Sequence, residues 1–120
     1  MSKSAFTIKA FGYYLIALGV VLIFAPNMLL AIFQMTATTE VWIHVVGVLA
    51  LNIGVYYLYA AKCEAKAFFQ ASVYTRSFVL VSFVVFAAVG LASPILVFFG
   101  ATDFVGGLWT HFALKAERKA

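Results

Sequence analysis

Asp103 is the one acid inside a long apolar run of this 120-residue chain, so any proton or cation chemistry would start there. An ionised aspartate at the centre of a bilayer costs on the order of 2.5–3.5 kcal/mol on insertion scales, so it must be neutral, paired or hydrated. If residues 94–114 form one helix, Asp103 lies about 13 Å below its outer end. Asn52, in an earlier apolar run, falls about 16 Å from the same side and can donate a hydrogen bond to it. Tyr56 follows Asn52 by one turn on the same face. The three residues are the candidate ligand or proton site. Two structural roles compete with it: an interhelical hydrogen bond that sets packing, and a helix cap at the outer surface.

Other reactive residue types are sparse. His44 and His111 sit near opposite ends of their runs, and Cys63 is the single cysteine. Glu40 and His44 share an i, i+4 face, but zinc normally takes three or four ligands, so no metal site is expected. No nucleophile–base pair, phosphate loop or cofactor-attachment motif occurs, so neither catalysis nor a bound cofactor is expected. Gly106-Gly107 reads as close packing, since no strand precedes it as in a nucleotide fingerprint.

The elements that must position these residues follow from composition. With 66% hydrophobic and 10% charged residues, the chain lies far outside the soluble range. Four spans fit at about 6–25, 41–61, 73–92 and 94–114, with interfacial segments at about 26–35 and 62–71. The first run is too long for a signal-peptide core and reads as a retained span. Pro26 ends it, Thr39 offers a cap for the second, and Ser93-Pro94 offer a cap and first-turn proline for the fourth. Gly12 and Gly19 in span 1, and Gly47, Ala50 and Gly54 in span 2, make smooth stripes for helix packing.

All eight Lys and Arg residues flank one side of these spans. Lys3 and Lys9 precede the first, Lys62 and Lys66 join the second to the third, and Arg76 opens the third. Lys115, Arg118 and Lys119 follow the fourth. Positive residues near span ends stay cytoplasmic, which predicts an all-α, four-helix inner-membrane bundle with both termini inside. Arg76, Lys62, Lys66 and Lys115 are candidate contacts for lipid headgroups, with Arg76 snorkelling from one turn within span 3. Scattered basic residues do not suit nucleic acid. The two halves also share a pattern of proline, apolar stretch, then threonine beside an acid (Thr39-Glu40, Thr102-Asp103). It suggests a parallel repeat, and with it a rival form of span 4 broken at Thr102.

The stretches Gly12 to Pro26, Gly47 to Tyr57 and Pro94 to Thr110 resemble the DoxX-like group of small four-helix bacterial membrane proteins. That resemblance implies the fold. Some members look like membrane subunits of quinone-linked oxidoreductases, but no cofactor-ligand motif of theirs matches here residue by residue. The small multidrug transporters are similar in length, yet they rely on a glutamate in the first helix that this chain lacks. The expected function is therefore non-catalytic: a bundle binding lipid, quinone or another hydrophobic ligand, or an accessory subunit of a larger membrane complex. The rival from another class is a proton- or cation-coupled transporter built on Asp103 in a homo-oligomer, with the glycine stripes as its contact surface.

Overall fold

The apolar runs fold as helices, and the computed structural model describes residues 1–32, 34–92 and 94–119. In chain order these are α1 (Lys3–Phe24), α2 (Pro26–Ile32), α3 (Trp42–Lys62), α4 (Lys66–Ala88) and α5 (Ile95–Lys119), with no strand among the described residues. Four of them, α1, α3, α4 and α5, are long and apolar enough to cross a membrane.

Local chemistry sets where each helix starts and stops. The Ser2 hydroxyl accepts the Ala5 N–H at 3.1 Å and caps α1. Pro26 lacks the N–H that would continue α1 and instead opens α2. The next three helices end alike, each with a left-handed residue and a backbone bond that closes over the last turn. These residues are Gln34 (φ 55°), Glu64 (φ 54°) and Gly90 (φ 82°). The closing bonds run from Met35 N–H to Leu30 O at 2.8 Å, from Ala65 N–H to Ala60 O at 3.0 Å and from Leu91 N–H to Phe86 O at 2.9 Å. Gln34 and Glu64 hold a conformation that costs a side-chain-bearing residue roughly 1–2 kcal/mol.

The long helices pack in the order α3, α1, α5, α4, and the molecule measures 49 × 29 × 18 Å. It is thus flattened, with α3 at one edge. At the end carrying both termini (the terminal end), Ala5, Ile8, Phe11, Tyr57, Phe69 and Leu114 from α1, α3, α4 and α5 share one core. At the other end (the α2 end), Leu22, Leu30 and Ile43 form a smaller cluster.

The glycine stripes face each other within the chain. A Cβ at Gly19 would lie 2.7 Å from the Gly47 carbonyl, and one at Gly54 would lie 2.7 Å from the Gly12 carbonyl. Ala50 is half-buried beside them. These residues hold α1 against α3, so the stripes are not free for a second copy.

Several expected boundaries shift. Residues 66–88 form one helix where an interfacial segment and a separate span were expected, because no proline or glycine interrupts them. That helix stops at Ala88, before residue 92, where Gly90 turns the chain. Thr39 does not cap α3, which starts after Val41 with no side-chain cap. The cap expected of Ser93 lies outside the described residues. α5 runs unbroken through Thr102 and Asp103, so the second half has no counterpart of α2, and Asp103 is no surface cap.

Candidate functional site

Ser72 and Arg76 are one turn apart on α4, and the pair builds the most polar spot between the helices. Ser72 donates its own hydroxyl proton to Phe69 O at 2.7 Å, which leaves its oxygen free to accept. Arg76 Nη2 donates to that oxygen at 2.8 Å and to Thr110 Oγ1 of α5 at 2.9 Å, while Nε donates to Ser72 O at 3.2 Å. The guanidinium also lies 4.7 Å from the Phe11 ring centre and 5.7 Å from that of Tyr57, so two π faces share its charge.

Thr110 passes the interaction on. Its oxygen lies 2.7 Å from Thr7 Oγ1 of α1, and Thr7 Oγ1 lies 2.6 Å from Ser4 O. Each hydroxyl has one proton and a backbone carbonyl within reach, Ser4 O for Thr7 and Gly106 O at 3.2 Å for Thr110, so either threonine can donate across the pair. In both arrangements the chain of donors ends on a carbonyl, that of Ser4 or that of Gly106. Bonds aligned in this manner polarise and strengthen one another in a low-dielectric interior. The final carbonyl carries no exchangeable proton, so the arrangement ties helices together and does not relay protons. Its members are 0–2% exposed at Ser4, Thr7, Thr110 and Arg76.

A charged cluster closes the same end. Glu117 near the end of α5 accepts Ser4 N–H at 2.9 Å and Ser4 Oγ–H at 2.7 Å, placing a negative charge at the positive end of α1. Lys66 at the start of α4 pairs with Glu117 at 2.7 Å and reaches Ser4 Oγ at 2.9 Å. Glu64 accepts Ser2 N–H at 3.3 Å and lies 3.6 Å from Lys66. These hydrogen bonds, led by Ser2, hold the Glu64 carboxyl below its ordinary value of 4.5.

Asp103 belongs to the Arg76 cluster, not to Asn52. It shares a face of α5 with Gly106 and Thr110 at i, i+3 and i+7. A Cβ on Gly106 would lie 3.3 Å from Arg76 Nη1, so the glycine makes room for the guanidinium beside Asp103. Asp103 and Arg76 act on one another electrostatically, and no ion-pair contact joins them among the described residues. Nη1 is the one buried side-chain polar atom left without a hydrogen-bond partner there.

The expected trio of Asp103, Asn52 and Tyr56 is therefore not assembled. Asn52 and Tyr56 are exposed on α3, and the glycine face of α3 is the one turned to α1. A helix face rotated by half a turn defeats an argument from depth alone. Arg76 likewise does not snorkel to headgroups, because at 2% exposure it is enclosed by α1, α3 and α5. Lys62 and Lys115 are exposed at the terminal end, whereas Lys66 is engaged by Glu117. His44 Nδ1 lies 2.8 Å from Ile23 O, one of the carbonyls orphaned where Pro26 stops α1, so that nitrogen must carry the proton. The hydroxyl network had a signal in the sequence. Ser4, Thr7 and Phe11 recur at helical spacing, as do Gly106 and Thr110, but nothing in one dimension says that these faces meet.

At the α2 end the helices line a partly open cavity of about 400 Å³. All five helices line it, through residues such as Leu18, Leu30, Trp42, Phe83, Leu96 and Phe99. Phe83 and Phe99 stack in its wall with ring centres 6.4 Å apart. Its volume lies in the range of small-molecule sites, and its walls offer hydrocarbon and aromatic surface. No family model, curated protein or solved structure matches this chain.

Proposed function

We propose that this chain is a four-span bundle of the bacterial inner membrane with both termini in the cytoplasm. In this reading it holds a hydrophobic ligand at its α2 end and has no catalytic activity of its own. The orientation rests on the Lys and Arg residues other than Arg76, which is buried midway along α4; they lie toward the terminal end and leave the α2 end without a basic residue. A reporter fused to the carboxyl terminus is expected to be active only in a cytoplasmic form, and one fused near Thr38 only in a periplasmic form. Reversed activities would overturn the topology.

The cavity carries the ligand reading. Inside a bilayer the surrounding solvent is hydrocarbon, so a void of about 400 Å³ walled by Leu and Phe side chains fills with an acyl or isoprenoid tail. Lipid and quinone are the two classes with such tails. Gentle detergent extraction followed by native mass spectrometry is expected to find one of them retained, and Leu18→Trp is expected to displace it by filling the space. A parent protein that emerges carrying nothing overturns the reading. Co-extraction of a protein with redox centres would instead make the chain a membrane subunit of a quinone-linked oxidoreductase.

The transporter reading is disfavoured by Arg76. A cation at Asp103 would sit beside a fixed, buried positive charge, and the hydroxyl chain next to it ends on a carbonyl. Asp103 serves instead as countercharge to Arg76. Proteoliposomes are expected to show no pH-dependent ion flux, and measurable flux lost in Asp103→Asn would reverse that assignment.

A further inference from the structure

We propose that α3 pairs with α3 of a second copy of this chain, along a seam formed by Val45, Leu49, Asn52, Tyr56 and Tyr59. The proposal takes from the reading above only that α3 spans the membrane in one orientation.

α3 sits at the edge of the flattened molecule, with Gly47 and Gly54 turned to α1. Its opposite face is bare: Val45 is 50% exposed, Leu49 55%, Tyr56 65% and Tyr59 64%. These residues and Asn52 recur at spacings of four, three, four and three, the seven-residue rhythm of a helix that packs on a parallel partner. An apolar face alone would be satisfied by lipid. Asn52 is what lipid cannot satisfy.

Asn52 is exposed and lies ten residues from each end of α3. That is about 15 Å from either end, the centre of the hydrocarbon. Its amide has no hydrogen-bond partner among the described residues, and at that depth acyl chains offer no donor or acceptor. A neighbouring helix must supply both. The amide carries a carbonyl and an NH₂ group, so it is complementary to itself. Copies inserted in one orientation relate by a two-fold axis along the membrane normal, which brings each α3 residue to its own equivalent. Asn52 then meets Asn52, and a polar residue at one seam position fixes the register of the pair.

Cys63 continues the same rhythm four residues after Tyr59, is exposed, and is the only cysteine, so the natural chain carries its own probe. Oxidative cross-linking in native membranes is expected to give a covalent homodimer through Cys63. In a Cys63→Ser background, Leu49→Cys and Tyr56→Cys are expected to cross-link, while Ala50→Cys, on the α1 side, gives at least fivefold less. Asn52→Leu should cut the Cys63 cross-link at least fivefold with no fall in melting temperature, because Asn52 touches no core. Asn52→Gln should retain most of the cross-link. Absence of homodimer at every seam position, equal yield at positions 49 and 50, or cross-links only to a different protein would each overturn the proposal. None of these readouts depends on the cavity's ligand.

Discussion

At the terminal end, α1, α4 and α5 are joined by directional bonds between Arg76, Thr110, Thr7, Ser4, Glu117 and Lys66, whereas at the α2 end the same helices meet around a void. Both ends lie in one small molecule, and they are built from different forces. Hydrogen bonds demand particular distances and angles, so the terminal end has one arrangement. Dispersion and apolar contact are non-directional, so the walls of the α2 end can shift to suit a guest. The difference is one of constraint: directional bonds keep the helices in register at one end, and the proposed ligand site lies at the end without them.

The largest effect should come from splitting the buried charges. Asp103→Leu takes the nearby acid away from the buried Arg76 and is expected to lower the melting temperature more than any variant below. Adding Arg76→Met should recover most of that loss, since both charges are then gone. A silent Asp103→Leu would mean that Arg76 needs no countercharge from Asp103.

Next is the seam between α1 and α3, which crosses both ends. Gly19→Ala would press a methyl to 2.7 Å from the Gly47 carbonyl and Leu51 N, backbone atoms that cannot rotate aside, with a cost of about 1–3 kcal/mol. At Gly12 the nearest approach is 3.0 Å, so Gly12→Ala should cost less. Thermal unfolding of both variants in one detergent ranks them. Equal values would mean that the seam relaxes as a rigid body.

Thr7→Val sharpens the contrast further. It removes the hydroxyl partner of Thr110 and should cost about 1 kcal/mol, a modest figure because Thr110 keeps Gly106 O at 3.2 Å. By contrast, Leu18→Trp at the α2 end should leave the ligand-free melting temperature nearly unchanged while abolishing ligand retention.

The smallest effect is one of pH. Because the folded Glu64 carboxyl titrates below its ordinary value of 4.5, the stability it adds is complete above that pH and drains away as pH falls through the lower, folded value. Melting curves should therefore be flat with respect to Glu64 above about 4.5 and should decline as pH falls from there through the lower, folded value. In Glu64→Gln this part of the acid dependence should vanish.

Four apolar helices, the break at Pro26, the one-sided placement of Lys and Arg, and the glycine stripes were all legible in the sequence, because each depends on residues near one another in the chain. Helix length follows from a run of apolar residues, and a proline interrupts a helix whatever surrounds it. The partners of Asp103 and Arg76 were not legible. Depth along a helix can be counted, but the rotation that turns Asn52 outward and Arg76 inward is decided by which faces pack. Only the approach of α1, α4 and α5 brings Thr110 within 3 Å of both Thr7 and Arg76, and only the packing of all five helices leaves the cavity between them. The physical reason is range: local sequence sets backbone hydrogen bonding within a helix, whereas the choice of face is a sum of weak contacts between residues as many as 113 positions apart.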